Sequence, residues 1–201
     1  MSTVTYSPKA DEIKALRDET SAPMMDCRKA LIEAEGNVEK AKALLLERGA
    51  AQAEKKSERT AKEGLVTSYI HAGGKIGVLV EVNSETDFVA RNPKFHELAK
   101  DIALHIAGMN PTYLDRASVP EDALSAARAE FKESVPANKP AEVAEKIVEG
   151  KLNKWFEERC LIDQPFVKDD SMTVGELINA AIGTLGEKIQ VRRFVRYTLG
   201  E

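Results

Sequence analysis

Cysteine is scarce in this chain: Cys27 and Cys160 stand far apart, with no Cys-x-x-Cys spacing. That excludes a disulfide framework and a paired-cysteine zinc site, and it fits a cytoplasmic protein with reduced thiols. An excess of basic charge is missing too. The 29 lysines and arginines are outnumbered by 33 aspartates and glutamates, for a net charge of -4. No general field exists to collect a phosphate backbone, so direct nucleic-acid binding is not expected. No apolar run approaches the length of a membrane span, and the residues after Met1 lack a basic segment leading into an apolar one. Neither membrane contact nor a targeting leader is expected.

Signatures of chemistry are equally sparse. There is no Gly-x-x-x-x-Gly-Lys-Ser/Thr loop and no Gly-x-Gly-x-x-Gly, and Gly73-Gly74-Lys75 and Gly183 to Lys188 read as turns and caps. His71, His96 and His105 do not recur at metal-ligand spacing, and His105 falls four residues after Asp101, as a local polar pair would. Cys160 lies beside Phe156 and Leu161 in an apolar helical run, which predicts a buried thiol rather than a nucleophile. No Gly-x-Ser-x-Gly elbow marks a hydrolase. The expectation is a protein that is not an enzyme, with no metal and no cofactor of its own.

What is present is 201 residues, 43% hydrophobic, enough for a core that needs no staples. Residues Ser7 to Gly49 predict three short helices. The first carries Ile13 and Leu16 and stops between Glu19 and Pro23. The second enters at Pro23 and places Met24, Cys27, Ala30, Leu31 and Ala34 at helical spacing, with Gly36 as its end. Asn37 is an N-cap candidate for the third, whose Val38, Ala41, Leu44 and Leu45 face inward and whose stop is Gly49. Met24 and Met25 are adjacent, so one helix cannot aim both at one buried stripe, and one of them is expected on the outside. Ala50 to Glu63 is polar, mixed in charge and without an apolar face, a linker whose composition permits helix.

Leu65 to His71 and Lys75 to Val82 alternate as strands, joined at Ala72-Gly73-Gly74 by a hairpin turn. Helices follow from Pro93, with Phe95, Leu98, Ala99, Ile102 and Ile106 inward, and from Ser118 to Pro120, with Leu124, Ala127 and Phe131. A long helical run carries Val143 to Cys160, with Gly150 as a possible divide, and stops at Asp163-Gln164-Pro165-Phe166. Thr173 and Glu176 form a capping box for the next helix, which Gly186 ends, and Lys188 to Leu199 alternates as a third strand. The fold class is therefore α+β: a three-helix bundle (1–50), a charged linker (51–63), and a core (64–201). In that core, helices are inserted between the second and third strands of an antiparallel three-stranded sheet.

The stretch Glu81 to Asn92 joins the second strand to the first core helix, and at its turn Asp87 sets a carboxylate beside the ring of Phe88. On pattern alone Phe88 reads either as the first core residue of the helix or as an exposed ring awaiting a partner. The motifs resemble those of the bacterial elongation factor Ts family. Met24-Met25-Asp26-Cys27-Arg28-Lys29-Ala30-Leu31 is similar to its amino-terminal signature, and Glu81-Val82-Asn83-Ser84-Glu85-Thr86-Asp87-Phe88-Val89-Ala90 to its second. Leu161 to Phe166 and Gln190 to Tyr197 resemble its carboxy-terminal half. One departure is Thr20-Ser21-Ala22-Pro23, where the family usually reads Thr-Gly-Ala-Gly; Pro23 stiffens the entry to the helix.

The resemblance implies a guanine-nucleotide exchange factor for the translational GTPase elongation factor Tu, in its GDP-bound form. The bundle would be of the ubiquitin-associated type and would dock through Met24 and Met25. Thr86, Asp87, Phe88 and Val89 would insert into the partner and dislodge its Mg2+, so that GDP leaves. Length resembles the family's short form, which implies a homodimer. Two other functions can be written on the same residues: an adaptor that binds peptide or ubiquitin-like ligands through the amino-terminal bundle, and a small hydrolase using Glu85, Asp87 and His96.

Overall fold

In the computed structural model, which describes residues 6–136 and 138–201, three helices open the chain: α1 (Ala10–Thr20), α2 (Met24–Glu33) and α3 (Val38–Lys56). Strands β1 (Glu63–Ile70) and β2 (Ile76–Ser84) follow, then a single turn α4 (Asp87–Ala90), α5 (Pro93–Met109), α6 (Glu121–Glu133) and α7 (Ala141–Arg159). The chain ends with β3 (Pro165–Phe166), β4 (Asp169–Thr173), α8 (Val174–Leu185) and β5 (Ile189–Thr198). The expected sheet is there, in the order β1-β2-β5. The backbone N–H of Leu199 donates to the carbonyl of Lys75 just before β2, so the end of β5 meets the start of β2 and the two run antiparallel. By the density of their contacts the described residues form two compact units. One takes the residues up to Thr67 with Glu81–Lys100 and Glu176–Arg192; the other takes Ser68–Val80, Asp101–Gly175 and Arg193–Glu201.

The first unit begins with a bundle closed around small residues. Leu16, Cys27, Ala30, Leu31, Ala34 and Ala41 are buried together, with Tyr6, Ile13, Leu44 and Leu45 packed against them. Short side chains let the three helices approach closely, and burial pushes the Cys27 thiol up from its ordinary range. Asn37 caps α3 as expected, its side chain accepting from the N–H of Lys40 at 2.9 Å. The stop expected at Gly49 does not occur. The helix runs on to Lys56, because Ala50 to Lys56 are strong helix formers. Gly49 is buried instead, where an added Cβ would stand 2.9 Å from the carbonyl oxygen of Asn179 on α8. It is a packing glycine.

In the second unit the predicted inward face of α5 is buried at Ile102 and Ile106, together with Val78 and Val80 of β2. Helices α6 and α7 close a satellite core around Ala127, Val148 and Leu152, and α7 passes Gly150 without a break. Cys160 is fully buried, and burial pushes its thiol up to about 11. The strands β3 and β4 pair antiparallel in a second sheet that the sequence pattern did not predict. β3 is two residues long with an irregular register at Pro165 and Phe166, too short for alternation to show.

His105 differs from expectation. Asp101 pairs with Lys168, whereas His105 is fully buried: it accepts the N–H of Val167 on Nδ1 at 3.1 Å and bonds Gln164 Oε1 through Nε2 at 2.9 Å. One turn of α5 carries Asp101 to the charged rim and His105 inward beside Ile102 and Ile106. Burial holds its pKa below the ordinary 6.5, against the pull of Gln164. The unfolded chain therefore binds the proton that the folded one refuses, and stability is full above pH 6.5 and falls below it. The slope cannot exceed about 1.4 kcal/mol per pH unit for one proton. Urea midpoints taken from pH 8 to pH 5 should show this fall, and His105→Phe should flatten it.

Candidate partner-binding site

The site is built on the end of β2. Ser84 Oγ donates to the carbonyl of Thr86 at 2.9 Å and turns the chain. Thr86, still extended, is the N-cap, its hydroxyl accepting the N–H of Val89 at 3.4 Å. The helix it caps has only four residues. Val89 and Ala90 are buried beneath it, and at about 100° per residue that leaves Phe88 on the outer side. Phe88 is 79% exposed. It is not the first core residue of α5; Phe95, at 0% exposure, is. A ring left in water forgoes about 2 to 3 kcal/mol of burial, so the turn presents a contact that the chain itself does not use. Asp87 beside it is exposed and pairs with Arg91 at 2.9 Å. Of the four residues expected to act here, Asp87 and Phe88 are presented, Thr86 caps, and Val89 anchors.

Met24 and Met25 open α2 in the same unit, and where one of them is expected on the outside both are there, 52% and 56% exposed. Cys27, Ala30 and Leu31 already fill the buried stripe, so both thioethers are free for contact. The loop before them is tied down. Ser21, in the left-handed conformation at φ 57°, offers its carbonyl to Lys94 Nζ and to Thr184 Oγ1, each at 3.3 Å. Pro23 takes the N-cap position at φ -56°, which its ring favours.

Behind the Phe88 turn lies a charged lattice. Glu85 accepts the backbone N–H of Lys188 at 2.6 Å and contacts Arg59 at 3.4 Å. The Lys188 N–H, with Arg59 adding to it, holds the Glu85 carboxyl below the usual carboxylate range. Lys188 Nζ in turn donates to the carbonyls of Ser57 and Arg59, just past the end of α3. The hydrolase reading loses its footing here. Glu85 is committed to Lys188 and Arg59, Asp87 to Arg91, and His96 is exposed on α5. Among the described residues no His, Cys, Asp and Glu cluster is placed to hold a metal ion, and no helix is long and apolar enough to cross a membrane.

A family model described as elongation factor TS matches residues 29–201. The chain belongs to the elongation factor Ts family. Relatives named elongation factor Ts include those of Alkaliphilus oremlandii, 53% identical over 96% of this chain and 89% of the relative, and of Coprothermobacter proteolyticus, 53% identical over 96% and 98%. The relative from Koribacter versatilis is 50% identical over 96% of this chain and 88% of its own length. Elongation factor Ts proteins serve translation, and this chain is a translation factor of that family.

Two arginines of β5 are held by other groups of the chain. Arg192 contacts Glu81 at 3.6 Å, and Arg196 donates to the carbonyl of Ala107 and to Thr198. Arg192 thus reaches a carboxylate of β2, and Arg196 is shared between a carbonyl of α5 and its own strand. The residues that sequence reasoning missed are those behind the turn, Glu187 and Lys188 above all. They meet the Phe88 junction from about a hundred positions away, and no local pattern marks such a pairing.

Proposed function

We propose that this chain is a guanine-nucleotide exchange factor for elongation factor Tu, acting in the cytoplasm on the GDP-bound GTPase. Residues 1–50 dock through Met24 and Met25, residues 51–63 join them to the core, and the Thr86–Val89 turn of the core (64–201) inserts into the partner. Phe88 is the wedge, Asp87 acts beside it, and Val89 fixes the turn. Insertion displaces the partner's Mg2+, and GDP leaves because its phosphates lose their counterion. The factor binds no nucleotide itself. The observation that carries this reading is Phe88, a large ring held almost fully in water on a turn braced from behind. The test is stopped-flow release of fluorescent GDP from elongation factor Tu, with and without this chain. Acceleration supports the reading. No acceleration would leave the exposed Met24–Met25 face as the functional surface and favour the adaptor.

We propose further that the chain is a homodimer. In the second unit Ile70, Leu79, Val195, Tyr197 and Leu199 are 65%, 49%, 38%, 70% and 76% exposed, Leu79 standing between the buried Val78 and Val80 of β2. A second copy covering such a face would remove it from water. Tyr197→Asp is expected to shift the sedimentation coefficient from dimer to monomer at micromolar concentration. A wild-type monomer at that concentration would end the dimer proposal.

A further inference from the structure

Two glutamates lock the Phe88 turn to the turn before β5, each serving the other's strand. Glu187 accepts both hydrogens that Thr86 offers, the backbone N–H at 3.0 Å on Oε2 and the hydroxyl at 2.7 Å on Oε1. Glu85 answers by accepting the N–H of Lys188 at 2.6 Å. Gly186, at φ 77°, ends α8 in a conformation that costs glycine little, and Glu187 follows directly. The Thr86 hydroxyl gives its hydrogen to Glu187 and its lone pair to the N–H of Val89. Glu187 therefore holds the cap, and the cap holds the turn.

That order matters because α4 cannot hold itself. A four-residue helix lies far below the length at which a helix persists in water. Val89 and Ala90 pin its inner side, but they leave the direction of the outer side to the cap. Charge-assisted bonds to a carboxylate are the stronger kind, and a bidentate pair fixes orientation as well as distance. We propose that Glu187 is a positioning residue of the exchange site. It touches no nucleotide and need touch no partner, and it acts through Thr86 by keeping the Phe88 ring in the one direction from which it can be inserted. This inference rests on the exchange reading above. It adds that the wedge is pre-set by a residue about a hundred positions away.

The alternative is that Glu187 only closes the end of the sheet, in which case its loss would weaken the whole protein without acting through Phe88. Four full-length variants separate the two: Glu187→Ala, Glu187→Gln, Phe88→Ala, and the Glu187→Ala/Phe88→Ala double variant. Stopped-flow GDP release from elongation factor Tu is combined with amide hydrogen exchange on the free factor. Glu187→Ala is expected to lower the acceleration of GDP release about tenfold, the scale of a lost charged hydrogen bond. Thr86 and Val89 amides should exchange about tenfold faster while the bundle amides keep their rates. Glu187→Gln keeps one acceptor oxygen and should fall between, which covers the case in which the alanine variant folds poorly. In the Phe88→Ala background the loss of Glu187 should have no further effect on release. Equal losses in both backgrounds, or unchanged protection at Thr86 and Val89, would overturn the positioning role while leaving the exchange reading intact. A wild-type chain that does not accelerate release overturns both.

Discussion

Phe88→Ala is expected to lower the acceleration of GDP release about a hundredfold while the complex with elongation factor Tu still forms. Burying a Phe ring is worth about 2 to 3 kcal/mol, and 1.4 kcal/mol is one decade in an equilibrium constant. Because the ring is already exposed in the free factor, its removal costs the fold nothing of that order. The melting temperature should stay within about 1 to 2 °C of wild type, the range of a neutral surface substitution. The loss therefore appears only when partner is present. Linkage sets a further condition. The factor weakens nucleotide binding by the same ratio by which nucleotide weakens factor binding, so exchange over several decades needs more than one ring. Met24, Met25 and Asp87, all exposed in the same unit, are the groups that can supply the remainder. Titration of nucleotide-free partner with Phe88→Ala tests this: retained binding with slow release fits a wedge. Lost binding would make Phe88 an anchor.

How far this was legible from the sequence depends on the range of each interaction. The α5 face was readable because Phe95, Leu98, Ala99, Ile102 and Ile106 repeat at 3.6 residues and all of them are buried. The same periodicity misleads at Phe88. Seven residues before Phe95, it would fall on the same face of an unbroken helix, and it does not because α4 ends at Ala90 and the register restarts at Pro93. Motif resemblance, not periodicity, singled it out. Asp101 and His105 were paired by i,i+4 spacing, but Lys168 and Gln164 compete for them from sixty or so positions away. Gly49 read as a stop because glycine often is one, and only the approach of α8 explains it otherwise. At Asp101, His105 and Gly49 a long-range contact overrides a local preference, whereas at Phe88 a local break in the helix does so.

Gly64→Ala is expected to cost the protein about 3 to 5 kcal/mol, although the residue looks dispensable in the sequence, just ahead of the first predicted strand. Gly64 sits at φ 138°, outside the range of a side-chain-bearing residue. An added Cβ would stand 2.1 Å from the carbonyl oxygen of Val82 and 2.7 Å from the Cα of Asn83. Both are backbone of β2, so no rotamer change relieves the contact. Overpacking of this kind costs about 1 to 3 kcal/mol, and the backbone conformation adds a similar amount. At about 2 to 4 °C per kcal/mol for a chain of this size, the melting temperature should drop by roughly 10 °C. The strand pair that has to part is the one whose end carries the proposed exchange site. Asn83 donates to the carbonyl of Glu63 at 3.1 Å, and Thr86 follows three residues on. Hydrogen exchange should then show Val82 to Thr86 losing protection together with β1, and GDP release should slow even at temperatures where the chain stays folded. A normal melting temperature with slow release would place the defect in the turn alone. Loss of both together fits a strand pair that serves the fold and aims Phe88.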